Sequence, residues 1–202
     1  VAPCSKLKFE QWWATTAADR WVKVPAAALD HRRFWDAMNA LDDPALREVE
    51  RRLGQAMVTG YGLDLSALAL DMTNFATFID TADDRAPIAQ RGHAKQKRTD
   101  LRLVGLALVV TRDGAVPVVS HVYPGNRPDV TQFSTVIDEM VARYTPIADP
   151  AGLSVVFDAG QTSAANFARL SASGLGWVGS LPPSGHPDLL AITARRYQVV
   201  DA

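Results

Sequence analysis

The stretch Leu68-Ala-Leu-Asp-Met-Thr-Asn-Phe75 ends an apolar run with a carboxylate, Asp71. A second run, Leu153-Ser-Val-Val-Phe-Asp158, has the same pattern. An ionised carboxylate is costly to bury without a partner, so each Asp is expected where a buried strand reaches the surface. A single Asp there more often forms a turn or a helix cap. Two of them point to a ligand site, because α/β folds bind ligands at the carboxyl ends of adjacent parallel strands.

From residue 65 onward, short apolar runs alternate with turn signals. This alternation predicts strands at 67–71, 103–111, 116–122, 153–158 and 177–181. Arg112-Asp113-Gly114 predicts a hairpin that makes the second and third strands antiparallel. Apolar spacings of three and four predict a helix over 129–144, capped by Asp129 or Thr131, and another over 163–172, capped by Ser163. This order implies an α/β fold, a mixed sheet flanked by helices.

Residues 1–60 lack such runs, and their apolar spacing predicts helices near 30–41 and 44–57. Asp43 followed by Pro44 matches an N-cap followed by proline at the first helical position. We therefore expect a helical N-terminal region over 1–60 and a second domain over 61–202.

Composition excludes several classes of protein. The 202 residues are 48% hydrophobic and carry 21 basic against 22 acidic side chains, so no overall field steers the chain to a polyanion. The single cysteine, Cys4, forms no internal disulfide and fits a reducing compartment. We find no apolar run of about 18 residues and no signal peptide, so we expect a cytoplasmic protein without a membrane partner.

One local positive segment stands out. Arg91 to Arg102 contains five basic side chains and one acidic side chain in twelve residues. Five phosphate contacts would give the DNA affinity a log–log salt slope of about −4 to −5. A solvated loop between strands explains the same composition. The following loop, Tyr123 to Asp129, contains Gly125-Asn126, which permits a positive φ, and Asn126 and Asp129 could cap the next helix.

The two carboxylates favour a divalent cation. If Asp71 and Asp158 lie about 4 Å apart at an effective dielectric of about 20, they repel by about 4 kcal/mol, which a cation would offset. Oxygen ligands favour Mg²⁺ or Mn²⁺ over zinc. A pair of such ions can activate a nucleophile and stabilise a leaving oxygen in phosphodiester displacement.

Four segments in this order resemble the DDE transposases of bacterial insertion sequences, in particular the fourth insertion-sequence family. They are Leu70-Asp-Met-Thr-Asn-Phe75, Arg91-Gly-His-Ala-Lys-Gln-Lys-Arg-Thr-Asp-Leu101, Pro124-Gly-Asn-Arg-Pro-Asp129 and Val155-Val-Phe-Asp-Ala-Gly-Gln161, within residues 65 to about 181.

The resemblance implies an RNase H-like catalytic domain that cuts insertion-sequence ends and joins them to target DNA, as a homodimer in the DNA complex. Asp71 and Asp158 would be the first two catalytic acids and would bind Mg²⁺ or Mn²⁺. The residues expected to contact DNA are His93, Lys95, Lys97, Arg98, Arg102 and Asn126.

The chain departs from the family at the third acid, a Glu on a helix downstream of the second Asp. The glutamates here are Glu10, Glu48, Glu50 and Glu139, all before Asp158. We therefore expect that the chain stops before the catalytic helix, that the family is present in a C-terminally truncated form, and that this chain alone is catalytically poor.

Two alternatives remain. One is a DNA-binding or assembly remnant without catalysis. The other is a haloacid-dehalogenase-like phosphotransferase, with Asp71 as nucleophile and Asp158 as Mg²⁺ ligand. That class expects a second acid two residues after the nucleophile, where this chain has Thr73.

Overall fold

The computed structural model describes residues 4–80, 82–93 and 99–196. Its strands are β1 (Leu68–Thr77), β2 (Arg102–Thr111), β3 (Pro117–Pro124), β4 (Ser154–Phe157) and β5 (Gly176–Gly179). Its α-helices are α1 (Phe9–Ala14), α2 (His31–Asn39), α3 (Asp43–Tyr61), α4 (Asp129–Tyr144), α5 (Ala164–Ser173) and α6 (Pro187–Leu190). Short 3₁₀ helices cover Lys6–Lys8, Ala18–Arg20, Ala26–Leu29, Pro150–Gly152, Ala159–Gln161, Pro183–Gly185 and Ala194–Arg196.

The strands form one sheet in the order β3-β2-β1-β4-β5. β2 pairs antiparallel with β1 and β3, and β4 pairs parallel with β1 and β5. The mixed sheet flanked by helices is confirmed, and this strand order is that of an RNase H-like sheet. The antiparallel β1–β2 pair also disfavours a dehalogenase-like fold, in which a crossover helix would follow the first strand.

Two helices cover one face of the sheet. α4 buries Phe133, Val136, Ile137, Met140 and Tyr144, which join a core cluster with Leu68, Leu70 and Met72 of β1. Each fully buried side chain of this size stabilises the fold by roughly 1.5–3 kcal/mol relative to exposure. α5 adds Leu170 to the same cluster. Because α4 and α5 connect β3, β4 and β5, they bring the carboxyl ends of these strands and of β1 to one edge of the sheet.

β1 differs from its prediction. The expected strand ended at Asp71, but β1 continues to Thr77 because β2 pairs with it over its full length, from Leu68↔Thr111 to Thr77↔Arg102. On the other side, pairing with β4 stops at Leu70↔Phe157. Asp71 therefore lies in the middle of β1, at the point where β1 loses its parallel neighbour.

The helix caps were predicted with mixed success. Ser163 caps α5 as expected, because its Oγ accepts a hydrogen bond from Asn166 N at 3.1 Å. The predicted cap of α3 was wrong by one residue: Asp42 Oδ1, not Asp43, accepts from Ala45 N at 2.9 Å. The predicted caps of α4 were also wrong, since its N-cap is Pro128 and makes no side-chain hydrogen bond.

The chain forms two compact units that divide between Glu50 and Arg51, within α3. The expected division near residue 60 stays a prediction. The first unit contains helices and no described strand, and the second contains the sheet. Within the described residues, no helix is both long and apolar enough to cross a bilayer.

Candidate active site

Asp71 and Asp158 follow directly after the last paired residues of β1 and β4, which run parallel. The preceding pairs alternate: Ala69 and Val156 are exposed, whereas Leu70 and Phe157 are buried. Asp71 and Asp158 are both exposed, as the next step of this alternation requires. The strand spacing of about 4.8 Å thus places the two carboxylates side by side on one face of the sheet.

Each carboxylate is oriented by a backbone amide. Met72 N donates to Asp71 Oδ1 at 2.8 Å, and Gly160 N donates to Asp158 Oδ1 at 2.9 Å. At a separation of about 5 Å, two such charges repel by about 1 kcal/mol in water and about 3 kcal/mol at an effective dielectric of 20. Because both side chains are exposed, the repulsion lies toward the lower value, below the 4 kcal/mol expected from sequence.

The donor set suits a hard divalent cation in part. Two carboxylates at one edge supply oxygen ligands of the kind that Mg²⁺ and Mn²⁺ take. Within 4–80, 82–93 and 99–196, however, no three His, Cys, Asp or Glu side chains are grouped so as to hold a metal ion. The site therefore offers two protein carboxylates, and the third acid that was missing from the sequence is not replaced by another described residue.

A cavity of about 390 Å³ opens at the same edge of the sheet. Its lining includes Asn74, His93, Asn126, Asp129 and Gly160. His93 and Asn126, predicted separately as DNA-contacting residues, thus line one cavity. Asn74 and Asp71 are three residues apart on β1, so their side chains point to opposite faces of the strand. The cavity and the two carboxylates therefore lie on opposite faces of β1.

Close backbone packing joins two of the motifs. A Cβ on Gly92 would lie 2.0 Å from Gly125 O, and a Cβ on Gly125 would lie 2.0 Å from Leu103 O. Only glycine allows this approach. The sequence Gly125-Asn126 permits a positive φ, but neither residue has one in the structure. Gly125 is required for close contact with Leu103 rather than for a left-handed turn.

Buried Tyr123 and half-buried Asp129 form a pair that the sequence did not reveal. Tyr123 is 2% exposed, and its Oη donates to Asp129 Oδ1 at 2.7 Å. Burial raises the pKa of Tyr123 well above its usual value, and the hydrogen bond to Asp129 and the charges of Asp129 and Asp71 raise the pKa further. Asp129 is the first residue of α4, so this bond fixes the start of the helix against β3.

The basic segment is described only at its ends. Lys95, Lys97 and Arg98 lie outside the described residues. The carbonyl of His93 accepts a hydrogen bond from Asn74 Nδ2 at 3.1 Å, which fixes the segment's start over β1. Arg102 Nη1 donates to Asp83 O at 2.8 Å, so this guanidinium anchors the β1–β2 connection. Its contact with DNA stays a prediction.

Asn166 was also missed by sequence reasoning. It is 5% exposed, and its Nδ2 donates to Gln161 O at 2.7 Å and to Val130 O at 3.0 Å. The only sequence signal was its position three residues after Ser163. That position predicts a residue in the first turn of a helix and no particular role for its side chain.

No family model and no curated protein matches this chain. Solved structures do. A Mos1 transposase paired-end complex with the left transposon end is 10% identical, with a TM-score of 0.38, over 94% of this chain and 62% of that one. A piggyBac transposase synaptic complex with hairpin DNA is 13% identical, with a TM-score of 0.43, over 95% of this chain and 43% of that one.

A third match is a Mos1 mariner paired-end complex with Mn, at 10% identity and a TM-score of 0.37, over 94% of this chain and 63% of that one. The chain thus spans about three fifths of the length of these Mos1 chains. At such identities the likeness is one of fold alone.

Proposed function

We propose that this chain carries the catalytic domain of a DDE-type DNA transposase of the insertion-sequence kind. The reaction is cleavage of a phosphodiester at the element's ends, followed by attack of the freed 3′-hydroxyl on target DNA. The observation that carries the proposal is that Asp71 and Asp158, both exposed, directly follow the last paired residues of two parallel strands. The resemblance supports it, and one described residue from each of its four motifs lines the same cavity: Asn74, His93, Asn126 and Gly160.

In this proposal Asp71 and Asp158 hold Mg²⁺ or Mn²⁺. A bound ion would polarise a phosphate oxygen and activate the attacking hydroxyl. The chain's own residues prepare the site: Met72 N and Gly160 N each bind one carboxylate oxygen and set its direction. Lys95, Lys97 and Arg98 neutralise phosphates of the DNA backbone, and a second copy of the chain joins the DNA complex.

A complete site of this class has a third carboxylate, and no glutamate follows Asp158 in this sequence. We propose that the chain alone cleaves DNA poorly. For the same reason the second candidate function is DNA binding or assembly without catalysis. The absence of a three-ligand cluster among the described residues favours this second candidate for the isolated chain.

Manganese binding tests the site directly. Electron paramagnetic resonance titration of Mn²⁺ should show binding by the wild-type chain that is lost in Asp71→Asn and in Asp158→Asn. Asp113→Asn is the matched control, because Asp113 lies exposed in the β2–β3 turn at the opposite end of the sheet. Binding that survives both active-site changes would remove the assignment. Nicking of supercoiled plasmid DNA in Mn²⁺, measured on the same variants, separates catalysis from binding alone.

The basic segment is tested by salt dependence. Replacing Lys95, Lys97 and Arg98 by Ala should flatten the log–log salt slope of DNA affinity by about 3, because each lost phosphate contact releases about one counterion fewer. Arg112→Ala, in the β2–β3 turn, should leave the slope unchanged. An unchanged slope in the triple variant would exclude the segment as the phosphate-binding surface.

A further inference from the structure

The backbone that carries Asp158 is held weakly by its own hydrogen bonds. Pairing between β4 and β1 ends at Phe157, and the chain enters the 3₁₀ turn Ala159–Gln161. In this turn Gln161 N lies 3.5 Å from Asp158 O, and Thr162 N lies 3.3 Å from Ala159 O. Both distances exceed the usual range for N–H···O bonds. Gly160 N, which orients the Asp158 carboxylate, is part of this turn. The position of the carboxylate therefore also depends on contacts that hold the turn from outside.

Asn166 supplies such a contact. Its Nδ2 has two hydrogens and two acceptors: Gln161 O at the end of the turn, at 2.7 Å, and Val130 O in the first turn of α4, at 3.0 Å. Separately from these side-chain bonds, the backbone N of Asn166 donates to the helix cap Ser163 Oγ at 3.1 Å. One buried amide thus joins the Asp158 turn, α4 and α5.

These two hydrogen bonds from one side chain are specific to asparagine. Two carbonyls require two donors on one short side chain, and the amide nitrogen provides both. Aspartate at this position would face the same two carbonyls with acceptors, and alanine would leave them without a side-chain donor. Val130 and Asp129 line the cavity, and Gly160 donates to Asp158. The hydrogen bonds of Asn166 therefore connect the cavity lining to the carboxylate site.

We infer that Asn166 is a positioning residue that fixes the Asp158 carboxylate for metal binding by tying its turn to the start of α4. The role of Asn166 in metal binding rests on the proposed function. Its role in holding the turn rests on the hydrogen bonds alone. Residues that orient metal ligands typically change metal affinity by 10–100-fold when they are replaced.

The experiment compares Asn166→Ala and Asn166→Asp with Ser163→Ala. The control removes the cap of the same helix and leaves both Nδ2 hydrogen bonds in place. Amide hydrogen exchange, read at 158–162 and 129–131, should be about tenfold faster in both Asn166 variants than in the control. Mn²⁺ affinity, measured by electron paramagnetic resonance, should fall at least about tenfold in Asn166→Ala and stay unchanged in Ser163→Ala. Asn166→Ser, which keeps one donor, provides a milder variant if the others unfold.

Equal exchange rates at 158–162 in the Asn166 variants and the control would overturn the inference. So would faster exchange with unchanged Mn²⁺ affinity, provided that the wild-type chain binds Mn²⁺ through Asp158. If the wild-type chain shows no Asp158-dependent Mn²⁺ binding, the proposed function fails and the metal role of Asn166 falls with it, while the exchange rates still decide whether Asn166 holds the turn.

Discussion

Replacing Gly125 by alanine should destabilise the sheet unit by about 3 kcal/mol. The new Cβ would lie 2.0 Å from Leu103 O and 2.3 Å from Leu103 C, both backbone atoms of β2 that no side-chain rotation can move away. Relief requires a separation of more than 1 Å, which breaks the local backbone hydrogen bonds. These are Gln90 N to Leu103 O at 3.0 Å, Leu103 N to Gln90 O at 2.7 Å and Gly125 N to Ile88 O at 3.2 Å. Three bonds at about 1 kcal/mol each give the estimate.

Urea and thermal unfolding followed by circular dichroism measure this change. For a unit of this size, a loss of about 3 kcal/mol corresponds to a fall in Tm of roughly 6–12 °C. Gly60→Ala is the matched control: a Cβ at Gly60, in the last turn of α3, meets nothing within 4 Å, so stability should stay equal or rise slightly. A Gly125→Ala variant within about 1 kcal/mol of the wild-type free energy of unfolding would refute the close-packing argument.

Two further outcomes concern pairs in which a buried polar side chain, Tyr123 or Arg143, bonds to a half-buried carboxylate. Because the pKa of Tyr123 is raised from 10.0, the unfolded state loses this proton first as the pH rises above 10, and stability should fall by up to about 1.4 kcal/mol per pH unit. Tyr123→Phe should remove that part of the alkaline dependence, and urea titrations between pH 9 and 11 that coincide in slope for both proteins would contradict it. Glu139→Ala should cost about 3 kcal/mol in urea unfolding, because Arg143, 2% exposed, loses its carboxylate partner at 2.6 Å. Asp36→Ala breaks an exposed pair and should cost less than about 1 kcal/mol, so equal losses in these two variants would argue against burial as the cause.

The order of elements in the sheet unit was readable from sequence because each element carries a local pattern. The helical spacing from Phe133 to Tyr144 predicted α4, and Asp113-Gly114 predicted the β2–β3 hairpin; both are present. The end of β1 was not readable. Met72 to Thr77 mixes polar and apolar side chains without a clear alternation, and what extends the strand is pairing with β2, some thirty residues away in sequence.

In the candidate site, too, some residues could be recognised from the sequence and others could not. The carboxylates Asp71 and Asp158 stand out in the sequence because each ends an apolar run. Tyr123, with its bond to Asp129, and Asn166, with its bonds to Val130 and Gln161, do not stand out. Their partners lie on other elements, so no spacing along the chain signals them.

The sequence by itself determined the order of the five strands and of α4 and α5, the two acids and the lack of a later glutamate, because these are properties of local pattern and composition. Only the tertiary structure decided that Asp71 and Asp158 face the same side, since that depends on the β1–β4 register and on where this pairing stops. It also decided why Gly92 and Gly125 are glycines, because their neighbours are backbone atoms of distant segments. Pairing and close packing join residues that are far apart in the chain, and a local pattern cannot specify them.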